Sequence, residues 1–136
     1  MSSEKTQTRA PTLIAPEQGR HYSMGNMRAV FKADGAETET KYSISEWWLE
    51  PNTGGPGAHA HSEDHVFYVI EGVLNVFVDN TWSTAERGSY IFIPGGTPHD
   101  FANRGTSRVG FISFNAPGGF EEKMPGIVDW FAANPP

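Results

Sequence analysis

Gly54-Gly55-Pro56-Gly57-Ala58-His59-Ala60-His61-Ser62-Glu63-Asp64-His65, followed further on by Pro94-Gly95-Gly96-Thr97-Pro98-His99, is the part of the sequence on which the architecture turns. His59 and His61 stand two residues apart, so on extended backbone both rings point to one face, with Cα atoms about 7 Å apart. A straight strand would carry His65 roughly 13 Å beyond His61, too far to share an ion, so the chain must turn at Ser62-Glu63-Asp64. His65 then opens the next strand and faces back toward the first pair. The rigid proline- and glycine-rich loop 94–98 places His99 opposite the others. Four imidazoles thereby converge, while the fifth histidine, His21, stands apart and reads as a surface or internally satisfied residue.

Working outward, runs rich in β-branched and aromatic residues at 27–32, 42–49, 66–70, 73–78, 90–93 and 109–114 predict six strands, with two or three more expected. Glu71-Gly72 and Asp79-Asn80 are tight-turn pairs, so the strands around them follow one another antiparallel. Fifteen glycines and ten prolines are scattered between the apolar runs instead of forming a linker, which is the punctuation of an all-β fold. Several runs are apolar on both faces, as in a barrel or sandwich whose outer side is covered by a second layer or a subunit. Past Pro117-Gly118-Gly119, residues 120–124 and 126–133 read as short helices broken at Pro125. Glu121-Glu122-Lys123 reads as a solvated helix face. Residues 1–10 bring nothing to bury and are expected to form a flexible tail, leaving 11–136 as a single domain.

Composition narrows the function classes. A chain of 136 residues is one domain's worth. A formal charge of −6 lacks the attraction that drives binding to nucleic acid or anionic lipid. With no cysteine, any metal must be held by nitrogen or oxygen. No apolar run approaches the length of a membrane span and the start carries no apolar leader, so a soluble cytoplasmic protein is expected, with no membrane and no nucleic acid among its partners.

Two motifs resemble those of the cupin superfamily, in particular its small single-domain members. The first, at 54–72, is a glycine-rich lead, H-x-H at His59 and His61, three residues, a ligand position at His65, six residues and Gly72. The second, at 88–103, is G-x5-P-x-G-x2-H-x3-N, met at every fixed position by Gly88, Pro94, Gly96, His99 and Asn103. The resemblance implies a jelly-roll β-barrel (a double-stranded β-helix) with a metal in its mouth, usually in a homodimer, and makes His59, His61, His65 and His99 its ligands. One departure has chemical content: the family's glutamate ligand is here His65. Four neutral imidazoles leave the charge of a divalent ion uncompensated, which favours an anionic or enolic small-molecule substrate. An octahedral ion held by four residues keeps two open positions, whereas tetrahedral zinc would be closed, so Mn, Fe, Ni, Co or Cu is favoured over Zn.

Parity supplies the pocket candidates. Phe67 shares a face with His65 and Phe101 with His99, so both rings should line the cavity. Trp47 and Trp48 adjoin, so at most one of them faces inward; we assign Trp48 to the cavity and expect an interface to cover the ring left outside. Gly54, Gly55 and Gly57 form the bend before the first ligand, and Asn103 reads as a turn residue. General-base candidates by position are Glu63, Asp64, Asp100 and Tyr68. The chain resembles quercetinase-type cupins, but their catalytic carboxylate is missing from the ligand position, so that reaction does not transfer. The expected function is a metal-dependent, dioxygenase-like oxidoreductase acting on a small organic substrate. A non-redox lyase or isomerase is the alternative, and a non-catalytic cupin binding a metal or small ligand comes after it.

Overall fold

Alternation decides which side of each strand is buried. In β3 (Ser43–Leu49) Ser43, Ser45, Trp47 and Leu49 are buried, while Ile44, Glu46 and Trp48 are half-buried on the other face. The computed structural model that shows this describes residues 10–136. The expected tail therefore lies, Ala10 apart, outside the described residues. The other strands are β1 (Arg20–Met24), β2 (Met27–Ala33), β4 (Asp64–Glu71), β5 (Val73–Val78), β6 (Thr81–Glu86), β7 (Tyr90–Ile93), β8 (His99–Ala102) and β9 (Val109–Ala116). All neighbours are antiparallel: a six-stranded sheet in the order β1-β2-β3-β9-β4-β7 faces a three-stranded sheet β6-β5-β8. No helix among the described residues is long and apolar enough to cross a membrane.

The six strands expected from the sequence are all present. The additional three, β1, β6 and β8, are polar or short, and β6 is exposed at every position except Ala85. Such strands carry no apolar alternation for a sequence reading to detect.

The inner face of the large sheet is a grid. Across β3, β9 and β4, one row is Ser43, Asn115 and His65, and the next is Ser45, Ser113 and Phe67. A third row sets Trp47 beside Phe111 and Val69. Polar and aromatic rows thus lie side by side on one buried wall, and Trp47, Phe67, Phe101 and Phe111 form the aromatic part of the core.

Pro125 does not break the terminal helix. A 3-10 turn, Phe120–Lys123, runs straight into α2 (Met124–Ala133) with the proline in its first turn, where a missing N–H costs nothing. Nor is 121–123 a solvated face throughout. Glu121 accepts hydrogen bonds from Arg20 (2.8 and 2.9 Å) and from the Tyr22 hydroxyl (2.6 Å), and Lys123 pairs with Glu63 at 3.3 Å. Asp34, at the start of the one-turn helix α1 (Gly35–Thr38), accepts from the backbone N–H of Gly119 (2.6 Å) and Glu121 (2.7 Å). These contacts tie the end of the chain to the edge of the large sheet.

Candidate metal centre

The segment carrying His59 and His61 is not a regular strand. Backbone bridges join it to the small-sheet side where Thr53 pairs with Asn103 and His59 with His99. Two more residues lie between the pinned positions on its side than on the facing strand, so the surplus must loop out. Gly55 and Gly57 make the loop possible: a Cβ on Gly55 would overlap the Phe101 carbonyl oxygen, and Gly57 has φ +89°. Asp100 braces the loop by accepting from the N–H of Gly57 (3.2 Å) and Phe101 (2.8 Å), and burial pushes its pKa up. On the far side the Gly96 N–H donates to the His61 carbonyl at 2.6 Å, and the Gly95 N–H donates to Asp64 at 2.9 Å. The turn expected at 62–64 is formed in this way. Asn103 does more than turn the chain. Fully buried, its amide donates to the carbonyls of Leu49, Glu50 and Ser107 at 2.8–3.2 Å, closing the far end of the loop.

The four rings meet. Ring centroids lie 4.7 Å apart for His59–His61, 4.4 Å for His59–His99, 4.9 Å for His61–His65 and 5.0 Å for His65–His99. His59 Nδ1–H donates to the Gly57 carbonyl (2.7 Å) and His99 Nδ1–H to that of Thr97 (2.9 Å). Because a carbonyl only accepts, each ring keeps an unprotonated Nε2 for an ion. The Nε2 of His65 is buried with no hydrogen-bond partner, an orphan that a bound ion would satisfy. Potential ligand atoms fall into two groups within 4.8 Å, His59–His61–His99 and His61–Glu63–His65, which share His61. This donor set fits a divalent first-row ion. Glu63 was visible in the sequence only as one acid among several. Its Oε1 is buried and unpartnered, whereas Asp64 is exposed and Tyr68 points outward. Burial works to raise the Glu63 pKa, but its own backbone N–H and Lys123 outweigh that and hold it below the usual carboxylate value.

His21 is remote from the cluster, exposed, and hydrogen-bonded to the Glu17 carbonyl.

Beside the histidines lies a cavity of about 260 Å³. Phe67 and Phe101 line it as expected, but Trp48 does not: Trp47 takes that place. Trp48 stands on the outer face against Gly110, where any Cβ would overlap the indole. The guanidinium groups of Arg28 (5.8 Å) and Arg108 (4.5 Å) of its own chain lie over its ring. The wall that the sequence reading missed comes from the chain end, where Phe120, Ile127, Trp130 and Phe131 close the cavity. Phe120 sits edge-on to His61 and His65 at 5.5 and 5.9 Å.

Burial, with the neighbouring imidazoles adding to it, pushes the pKa of His61 down to about 4 and that of His65 down to about 3, and burial also lowers that of His99. The lone pairs needed by a metal are therefore available at neutral pH. The same shifts make the metal-free fold acid-sensitive. Unfolded histidine titrates near 6.5, so below that pH the unfolded state binds more protons and stability falls steadily toward the folded pKa values. At pH 5 His65 alone should cost about 2 kcal/mol, with less from the half-exposed His61. Thermal melts of chelator-stripped chain at pH 7.5 and pH 5 measure this. Melting temperatures that agree would contradict it, and His65→Gln should shrink the difference, leaving the smaller part due to His61 and His99.

An antiparallel β-sandwich with a histidine cluster and a cavity beside it defines a small β-barrel-like protein with a candidate metal site. The cupin-domain family model matches residues 45–115, more than half of the chain, and the chain belongs to the cupin family. No curated protein matches it in sequence. Among solved structures, an RmlC-like cupin from Shewanella frigidimarina superposes with a TM-score of 0.71 at 19% identity, over 85% of this chain and 99% of that one. The polyketide cyclase RemF from Streptomyces resistomycificus gives 0.69 at 19%, over 79% and 80%. A predicted oxalate decarboxylase from Thermotoga maritima gives 0.70 at 15%, over 78% and 99%. At these identities the likeness is one of fold. It establishes the jelly-roll barrel with its short C-terminal helix, and the histidine clusters are able to bind a metal.

Proposed function

We propose that the chain is a metal-dependent oxidoreductase, dioxygenase-like, acting on a small organic substrate at a centre held by His59, His61, His65 and His99. The observation that carries this reading is the meeting of four imidazoles at one end of an aromatic cavity. When bound there, a first-row ion (Mn, Fe, Ni, Co or Cu, with Zn as the non-redox case) supplies electron exchange with O₂ and Lewis acidity toward an enolate or phenolate oxygen. The protein's own groups do the rest. The carboxylate of Glu63, beside His61 and His65, is the acidic group placed to take up the proton that a substrate hydroxyl loses on binding at the histidines. Phe120, Trp130 and Phe131 exclude water from the bound substrate. The uncharged histidine set favours an anionic or enolic substrate. Two copies pairing through the outer face of the large sheet belong to the same proposal, supported by the exposed rings of Tyr68, Tyr90 and Phe92 there.

Glu63 also supports a second reading, a non-redox lyase or isomerase in which the carboxylate moves a proton beside a Lewis-acidic ion. Oxygen uptake by chain reconstituted with each redox metal and with zinc, on a panel of diketones, catechols and flavonols, separates the two. Uptake confined to redox metals is expected. Turnover with zinc as fast as with any of them would favour the second reading, and no turnover with any metal would favour a binding protein.

A further inference from the structure

The wall of the cavity specifies more than a small organic substrate. Apart from the histidines, every side chain on it is apolar except one: Trp47, Pro56, Phe67, Phe101, Phe111, Phe120, Ile127, Trp130 and Phe131 stand with Ser113. No lysine or arginine lines the space, so nothing offers a second carboxylate the bidentate partner it needs. Sugars fare no better, because each buried hydroxyl without a hydrogen bond loses its hydration uncompensated. Flat π-faces bordered by ring edges are instead the environment of an aromatic guest. Size sharpens this: a cavity of about 150 Å³ holds a single benzene ring, and the space here is about 260 Å³.

Ser113 is the informative exception. It is 6% exposed, lies on the cavity wall, and its hydroxyl has no hydrogen-bond partner among the described residues. In the strand register it faces Phe67, while His65 faces Asn115. Ser113 is therefore the diagonal neighbour of His65, about 7 Å away across the sheet. A hydroxyl on the cavity wall, one row along the sheet from His65, can read a second polar group on the same rigid guest.

We propose that the cavity takes a planar two-ring aromatic with one ionisable oxygen directed at the histidines and a second hydrogen-bonding oxygen received by Ser113, a hydroxynaphthalene-type substrate. This rests on the reading of the histidines as a metal centre, and it makes Ser113 a specificity-determining residue.

The test is calorimetric titration, with Trp47 and Trp130 fluorescence as a second readout, of metal-loaded and chelator-stripped chain. The probes are 2,6-dihydroxynaphthalene, 2-naphthol, malonate and glucose. The diol is expected to bind at least tenfold more tightly than malonate or glucose. Ser113→Ala is expected to weaken the diol about fivefold, the size of one neutral hydrogen bond, and to leave 2-naphthol within twofold. Ser113→Cys, nearly the same size but a poor hydrogen-bonding group, repeats the measurement if alanine disturbs the fold. Malonate or glucose binding as tightly as the diol overturns the substrate class, and an unchanged diol affinity in both variants overturns the role of Ser113. Weak diol binding by a chain that still holds stoichiometric metal defeats this proposal alone. Tight diol binding without oxygen uptake on any redox metal leaves it standing and defeats the oxidoreductase reading.

Discussion

Untagged chain purified without added metal or chelator is expected to carry close to one first-row metal ion per chain, and His99→Ala to carry almost none. His99 is buried, and its Nδ1 is committed to Thr97, so its ring cannot be replaced by a neighbour swinging in. Loss of a residue that merely orients a ligand costs roughly 10–100-fold in metal affinity, and removal of His99 should exceed that. His65→Ala should behave differently. It leaves His59, His61 and His99 together and keeps Glu63 within reach of His61, so occupancy should be weakened rather than abolished. The double change His65→Ala with Glu63→Gln should then bring occupancy down to the level of His99→Ala. Elemental analysis of the four proteins decides the matter. Full metal retained in His99→Ala would dismantle the centre as drawn, and equal loss in both single variants would remove Glu63 from it.

The second large effect is expected from Gly55→Ala, far smaller in chemical terms. The added methyl would land on the Phe101 carbonyl oxygen and close to a carboxylate oxygen of Asp100. Neither atom is free to move: Phe101 belongs to β8, paired with β5, and Asp100 is holding the Gly57 and Phe101 amides. Overpacking against backbone of this kind costs about 3 kcal/mol, or roughly 10 °C in Tm for a chain of this size. The loop that places His59 would be displaced with it, so metal affinity should fall as well. Gly54→Ala is the matched control. Its Cβ meets nothing within 4 Å and its φ is ordinary, so its melting temperature should stay within about 2 °C of the parent, as expected of a surface change below 0.5 kcal/mol. Identical melting of the two variants would show that the close approach at Gly55 carries no weight.

The clustering of His59, His61, His65 and His99 was legible because it is carried by spacing, and spacing survives in a sequence even when register does not. The cavity was legible only where parity ran from a histidine of the cluster, from His65 to Phe67 and from His99 to Phe101. Trp47 and Trp48 show where parity stops. Either ring satisfies the alternation of β3, and the choice is made by Gly110 on the neighbouring strand, which leaves the hollow that receives Trp48. That is a cross-strand fact, invisible from one strand. Asn103 was underestimated for a similar reason, since its three acceptors lie on segments up to 54 residues away. Glu63 could not be singled out from Asp64 because a turn sets side-chain direction through its dihedral angles, not through residue type. The terminal helix was foreseen as a helix but not as a wall, because nothing in residues 120–131 states what they will cover.

The division of labour between the sheets and the end of the chain makes the site modular. The histidines depend on the barrel and its loops, while much of the enclosing aromatic surface depends on Phe120, Ile127, Trp130 and Phe131, which add no strand to either sheet. The enclosing surface can therefore drift, or be re-engineered, by rewriting the terminal helix with the histidine framework kept constant. A single barrel becomes a chassis on which many reactions can be tried.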